Sequence, residues 1–219
     1  LVVGEHKPGG GELALTLMKK AKELGVEIRF NTKAVALLSD EKTGAVNGVR
    51  VKTKEGLSEI HSKFGVVLAT GGFGANHAMV EKYRPELKGF ATTNHPGALG
   101  EGLDLAEKVG ASFTDIEQIQ IHPTVVPKNG HLISESMRAR GAILVNKDGK
   151  RFFNELNTRD AVSAAILKQK DGVAYLFFDS DMQKSLKATN KYIKQSYCVS
   201  GATIEEVAGK MLSLIHISE

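Results

Sequence analysis

Residues 117–160 constrain this 219-residue chain more than any other stretch. They read EQIQIHPTVVPKNGHLISESMRARGAILVNKDGKRFFNELNTRD. Within them, AILVNKDGKRFFNE sets two apolar runs around a Lys-Asp-Gly-Lys turn, a pattern that predicts a β-hairpin. Around that hairpin stand His122, Glu135, Arg138, Arg140 and, at the end, Arg159 with Asp160. A turn that fixes the spacing of one imidazole, one carboxylate and several guanidiniums can hold an anion and move protons.

The rest of the chain supplies a scaffold. Leu13, Leu17, Ala21 and Leu24 recur at helical spacing and Gly25 stops the run, which predicts a helix over residues 12–24. Residues 1–11, with HKPGGG, carry no periodic pattern. VEIRF, AVALLSD, VNGVRVKT and GVVLAT then predict strands, with DEKTGAV turning between two of them. A helix followed by strands and a glycine-rich strand end indicates an α/β or α+β nucleotide-binding domain. Residues 64–70 form an almost unbroken apolar run that ends at Thr70-Gly71-Gly72, where missing side chains let another group approach the backbone. The same glycines also suit an ordinary tight turn. Further on, the pattern predicts helices over residues 99–109, 158–170 (Thr158 as N-cap) and 179–188, with VAYLFFD a buried strand. It weakens from Asn190.

Composition removes whole classes of function. A net charge of +4 raises nucleic acid as a partner, but Lys and Arg are spread without a long basic block, so none is expected. The single Cys198 excludes an internal disulfide framework and any Cys-based metal or iron–sulfur site. His6, His61, His77, His95 and His131 lack metal-ligand spacing, and no metal site is expected. No apolar run approaches the roughly 18 residues that a membrane span needs.

One ordered series of motifs goes further. ATGGFG (69–74), TNHPGALGEGLDLAEKVGA (93–111), QIQIHPT, SESMR, GAILVNKDGKRFFNE and NTRDAVSAAI together resemble the flavoprotein subunit of the fumarate reductase and succinate dehydrogenase family. The wording is most similar to the soluble fumarate reductases related to flavocytochrome c. The resemblance implies an α/β (α+β) fold: part of a Rossmann-like FAD-binding domain over residues 1–117, then part of an α+β capping domain over 118–211. Residues 212–219, LSLIHISE, match nothing in the family and read as a translated library adapter, so His216 is set aside. Flavin domains of this type open on a GxGxxG turn that holds the pyrophosphate, and none occurs here. The chain is therefore expected to be an internal piece, starting after that turn and ending before a second substrate His and Arg. Alone it would bind FAD poorly and turn over little.

By the same resemblance, Val35 matches the strand residue whose backbone meets the adenine side of noncovalent FAD. Ala69, Thr70, Gly71 and Gly72 match the turn that packs on the flavin, and Glu101 stands where the family has the Asp of a Gly-Asp-Gly turn near the cofactor. Arg159 matches the proton donor, with Glu135 and Arg138 as its relay. His122 matches the substrate-binding His, and Ser134 replaces a Thr whose hydroxyl meets the substrate carboxylate, with Glu135 beside it. Arg140 has no matching role. Taken without the resemblance, Arg159 reads as a surface ion-pair residue, His122 as a structural hydrogen-bonding residue, and Glu135–Arg138 as a local pair worth a few tenths of a kcal/mol. A guanidinium keeps its proton up to a pKa above about 12, so Arg159 can act as an acid only if that proton is replaced at once.

The function implied is hydride transfer from reduced FAD to the C=C bond of fumarate, giving succinate. Methacrylate and urocanate reductases share the scaffold, and His122 with Glu135 favours a small dicarboxylate. Succinate dehydrogenase and aspartate oxidase share the fold, while a related steroid dehydrogenase would not need this His–Glu–Arg set. From another class, a flavin-free module that holds a carboxylate stays open. The electron donor is unknown; an FMN domain, a haem domain or a membrane partner would lie outside this chain. A bacterial cytoplasmic, periplasmic or cell-surface location is equally compatible with the sequence.

Overall fold

The computed structural model describes residues 9–217. In chain order its elements are α1 (Gly9–Glu23), β1 (Lys33–Ser39), β2 (Val46–Thr53), β3 (Gly56–His61), α2 (His77–Tyr83), α3 (Glu101–Glu107), β4 (Val125–Val126), β5 (His131–Leu132), α4 (Ser136–Ala139), β6 (Ile143–Val145), α5 (Arg159–Leu167), β7 (Tyr175–Phe177), α6 (Ser180–Ser185), α7 (Lys187–Lys194) and α8 (Ile204–Ile217). Helices and small sheets are mixed along the chain, as the sequence implies. They group into two compact units, Leu1–Gly71 with Glu101–Ser112, and Gly72–Gly100 with Phe113–Glu219.

In the first unit, β1, β2 and β3 form an antiparallel meander. Asp40 closes the β1–β2 turn: its Oδ1 accepts from the Lys42 and Thr43 amides at 3.0 and 2.8 Å, and Gly44 supplies φ +71°. The register slips between Ala34 and Ala36, which leaves Val35 in a β-bulge. β3, GLSEIH, is mostly exposed, and its weak apolar alternation hides it from a reading of the sequence. α3 packs against β1, and Lys33 pairs with Glu101 at 2.5 Å.

Two expected strands, VEIRF and GVVLAT, are irregular instead. A strand needs a neighbour to take its backbone hydrogen bonds, and neither segment has one among the described residues. Phe30 and Val67 are correspondingly 67% and 91% exposed.

In the second unit, Asn76 caps α2 by accepting from the Met79 amide at 3.1 Å, while its amide group donates to the Leu99 carbonyl at 2.9 Å. The predicted hairpin is cut short. Asn146 Oδ1 accepts from the Asp148 and Lys150 amides at 3.0 Å each, Gly149 takes φ +72°, and one bridge joins Val145 to Arg151. Phe152 and Phe153 then leave the ladder to pack against Leu144, Val162 and Ile166, and β6 pairs with β7. Burying two rings outweighs continuing the ladder. Met137, Ala142, Met182 and Tyr192 form a second core, and Leu176 of β7 packs against both.

α5 ends at Leu167, short of the expected boundary, and the chain turns back at Asp171 and Gly172, both with positive φ. α6 is capped by Asp179, which accepts from the Met182 amide at 2.9 Å. α7 and α8 continue past the point where the sequence pattern fades. α8 carries the backbone through residues 212–217; Ser218, Glu219 and residues 1–8, with His6, lie outside the described residues. No described helix is long and apolar enough to cross a membrane. Among the described residues, no group of three or more His, Cys, Asp or Glu is placed to hold a metal ion.

Candidate active site

The second unit brings Glu135, Arg138 and Arg159 together from separate elements. Glu135 immediately precedes α4, Arg138 lies on that helix, and Arg159 is the first residue of α5. Arg159 meets Glu135 through two parallel hydrogen bonds, Nε to Oε1 at 2.5 Å and Nη2 to Oε2 at 2.6 Å. Its remaining arm, Nη1, donates to Gln120 Oε1 at 2.5 Å. Arg138 Nη2 reaches the same Glu135 Oε1 at 3.2 Å, and Nη1 donates to the Glu155 carbonyl at 2.6 Å. One carboxylate thus sits between two guanidiniums, a geometry in which charge and proton position are tightly defined.

The electrostatics follow from that contact. The Arg159 hydrogen bond holds the Glu135 carboxyl below the usual carboxylate range, against the opposing effect of desolvation. Reciprocally, Glu135 raises the Arg159 guanidinium, so Arg159 gives up a proton only if one is supplied to it at once. Arg138 is buried, whereas the Arg159 and Glu135 side chains are 41% and 37% exposed, so these two are the members that an incoming molecule can reach.

His122 belongs to the same neighbourhood. Its burial depresses protonation, and the charges of Glu135, Arg159 and Arg138 all act on it. Its Nδ1 lies 3.1 Å from the Thr124 carbonyl and 3.3 Å from the Thr124 amide. The carbonyl contact calls for a proton on Nδ1 and the amide contact for a bare Nδ1. Nε2–H can donate to an anion in the neutral tautomer that accepts the amide and in the doubly protonated ring that donates to the carbonyl. Ser134 is held at both ends: its hydroxyl shares a 2.8 Å hydrogen bond with the Ser136 hydroxyl, and its amide donates to the Tyr192 hydroxyl at 3.0 Å. Arg140 follows α4 and is exposed.

The cofactor residues expected from the sequence lie on the glycine turn (Ala69 to Gly72), on β1 of the meander (Val35) and at the start of α3 (Glu101). Val35 occupies the bulge, where a residue is left out of the ladder. A Cβ at Gly102 would fall 2.0 Å from Thr70 Oγ1, so α3 can approach Thr70 only because position 102 has no side chain. Gly71 takes φ +74°, and a Cβ at Gly71 or Gly72 would meet nothing within 4 Å. Other glycines, such as Gly25, Gly110 and Gly149, are equally open, so the space at the turn leaves the backbone approachable without marking it as a cofactor site. Glu101 is engaged with Lys33.

Several participants escape a reading of the sequence. Gln120 holds an arm of Arg159, and Tyr192 braces Ser134 across 58 residues. Glu155 and Arg151 pair through Arg151 Nη2 and Glu155 Oε2 at 2.7 Å beneath Arg138. An i,i+4 spacing signals a pair only on a helix, and residues 151–155 are not helical, so the sequence offered no signal for this pair or for Tyr192.

Comparison with known proteins places these features in context. The family described as FAD binding domain matches residues 2–199. An NADH:fumarate oxidoreductase of Klebsiella pneumoniae (strain 342) is 45% identical over 205 residues, covering 92% of this chain and 22% of that protein. A cytochrome-type fumarate reductase of Shewanella frigidimarina is 45% identical over 194 residues, covering 86% of this chain and 34% of that protein. Among solved structures, the open conformation of a flavocytochrome c3 fumarate reductase superposes with a TM-score of 0.73 at 42% identity, over 94% of this chain and 36% of that one. The chain therefore spans between about a fifth and about a third of the length of these proteins.

Proposed function

The chain belongs to the FAD binding domain family, and from that premise we propose that it is part of an FAD-dependent reductase that converts fumarate to succinate. Residues 1–117 would contribute to its flavin-binding domain and residues 118–211 to a capping domain over the substrate. The observation that carries this reading is the Glu135 carboxylate bonded to both Arg159 and Arg138.

Reduction of a conjugated C=C bond takes a hydride equivalent on one carbon and a proton on its neighbour. FAD, when bound and reduced, supplies the hydride equivalent. His122 Nε2–H and the Ser134 hydroxyl orient a substrate carboxylate. The Arg159 cation offsets the negative charge that builds on the substrate. Arg159 gives a guanidinium proton to the neighbouring carbon. Arg138 Nη2, 3.2 Å away, passes a proton to the Glu135 carboxylate, and Glu135 hands a proton on to the depleted guanidine of Arg159 through their paired contact. Two hydrogens are thereby added to fumarate, with no net change at the protein once Arg138 is recharged from solvent.

The test uses the full-length enzyme, as wild type and as Arg159→Ala, and follows oxidation of reduced methyl viologen on adding fumarate, methacrylate or urocanate. Fumarate-dependent oxidation that disappears in Arg159→Ala while the flavin absorbance stays supports the reading. Activity with another acid alone keeps the flavin reductase and discards fumarate. Full activity in Arg159→Ala removes the proton-donor role, and the absence of bound or restorable flavin favours a carboxylate-binding module.

A further inference from the structure

Glu155 is ionisable yet only 3% exposed. A buried carboxylate is retained only where its oxygens are met by donors. Here both are met. Oε1 accepts the Leu144 amide at 2.8 Å and Arg151 Nε at 2.9 Å, and Oε2 accepts Arg151 Nη2 at 2.7 Å. The side chain therefore fastens residue 155 to β6 and to the end of the tight turn at Arg151.

The backbone carbonyl of the same residue serves a separate partner, accepting from Arg138 Nη1 at 2.6 Å. Arg138 is 6% exposed, and its buried Nε meets no hydrogen-bond partner among the described residues. Among the described residues, its other side-chain hydrogen bond is the 3.2 Å contact to Glu135. The aim of Arg138 toward Glu135 thus depends on where the Glu155 carbonyl is held.

We propose that Glu155 is a positioning residue for proton supply: its carboxylate, clamped by Arg151 and the Leu144 amide, fixes its own carbonyl so that Arg138 stays directed at Glu135. The inference rests on the reading of Arg159, Glu135 and Arg138 as the proton route. Glu155 acts through Arg138 and is assigned no contact with substrate.

The experiment assays fumarate reduction by the full-length enzyme with reduced methyl viologen, in wild type, Glu155→Gln, Arg151→Gln, Arg151→Lys and, as reference, Glu135→Gln. In Glu155→Gln and Arg151→Gln, kcat is expected to fall about tenfold to a hundredfold, as a small misplacement of a reacting group produces, with KM for fumarate unchanged. The solvent deuterium isotope effect is expected to rise, and the deficit to shrink as the pH is lowered and bulk protons substitute for the route. Arg151→Lys, which keeps the charge, is expected to recover part of the loss. Unchanged kcat and isotope effect in a folded, flavin-loaded Arg151→Gln would overturn the proposal. So would a loss of kcat that is the same at every pH with an unchanged isotope effect, which marks a brace of structure alone. If Glu155→Gln does not fold, the variants at the exposed Arg151 decide. Full activity in Glu135→Gln overturns the proton route itself and this inference with it.

Discussion

Arg159 and Glu135, 24 residues apart in sequence, meet through two parallel hydrogen bonds of 2.5 and 2.6 Å. A bidentate guanidinium–carboxylate pair fixes the plane as well as the distance of both groups. The start of α5 is thereby tied to the residue preceding α4, and Gln120 Oε1 holds the third arm of Arg159 at 2.5 Å.

The first prediction concerns Glu135. Glu135→Gln keeps the shape and loses the charge, and kcat for fumarate reduction by the full-length enzyme is expected to fall about a hundredfold, within the range ordinarily contributed by a placed acid or base. Its pH dependence has a definite sign. The Glu135 carboxyl is held below its ordinary value of 4.5, so its contribution to stability is present in full above that value. That contribution is lost as pH falls through the lower folded value. Thermal unfolding of wild type against Glu135→Gln across an acid pH series checks it: the two curves should converge at the acid end.

A second prediction separates the two glycines of the turn. Gly71 sits at φ +74°, which a side chain adopts only with strain, so Gly71→Ala should destabilise the protein by about 1 kcal/mol. At Gly72 the backbone is unexceptional and a Cβ meets nothing within 4 Å. Gly72→Ala should leave the melting temperature of the flavin-free protein unchanged while lowering flavin content. Equal flavin content in Gly72→Ala and wild type would argue against a cofactor packed on this turn.

Tyr192 offers a third. It is 5% exposed and its hydroxyl accepts the Ser134 amide at 3.0 Å. Tyr192→Phe leaves that amide without its acceptor, a loss worth about 1 kcal/mol, readable by chemical denaturation. Because Ser134 is assigned to the substrate carboxylate, KM for fumarate should rise in the same variant.

A fourth follows from His122. Burial lowers its protonation below the ordinary value of 6.5, so near that pH the unfolded chain binds a proton that the folded chain does not. Stability should therefore rise with pH through the window below 6.5 and be flat above it with respect to this group. His122→Gln should remove that component from the stability–pH curve, and NMR titration of the imidazole should place its midpoint below 6.5.

The sequence by itself determined the local structure and the chemical inventory. The helix ending at Gly25, the Asp40 turn, the Asp179 cap and the tight turn at Asn146 depend on side-chain-to-backbone hydrogen bonds or positive φ a few residues apart, so short stretches of sequence encode them. The identities of His122, Ser134, Glu135, Arg138 and Arg159 were likewise legible. The tertiary structure decided what depends on distant neighbours. VEIRF and GVVLAT have strand composition but no ladder partner among the described residues, and the second arm of the hairpin gave way to the packing of Phe152 and Phe153 around Leu144, Val162 and Ile166. Glu155, Gln120 and Tyr192 acquired their places around the site only through contacts 17, 39 and 58 residues away in sequence. Periodicity registers which face of an element is apolar; it carries no information on which distant carbonyl a buried guanidinium will meet.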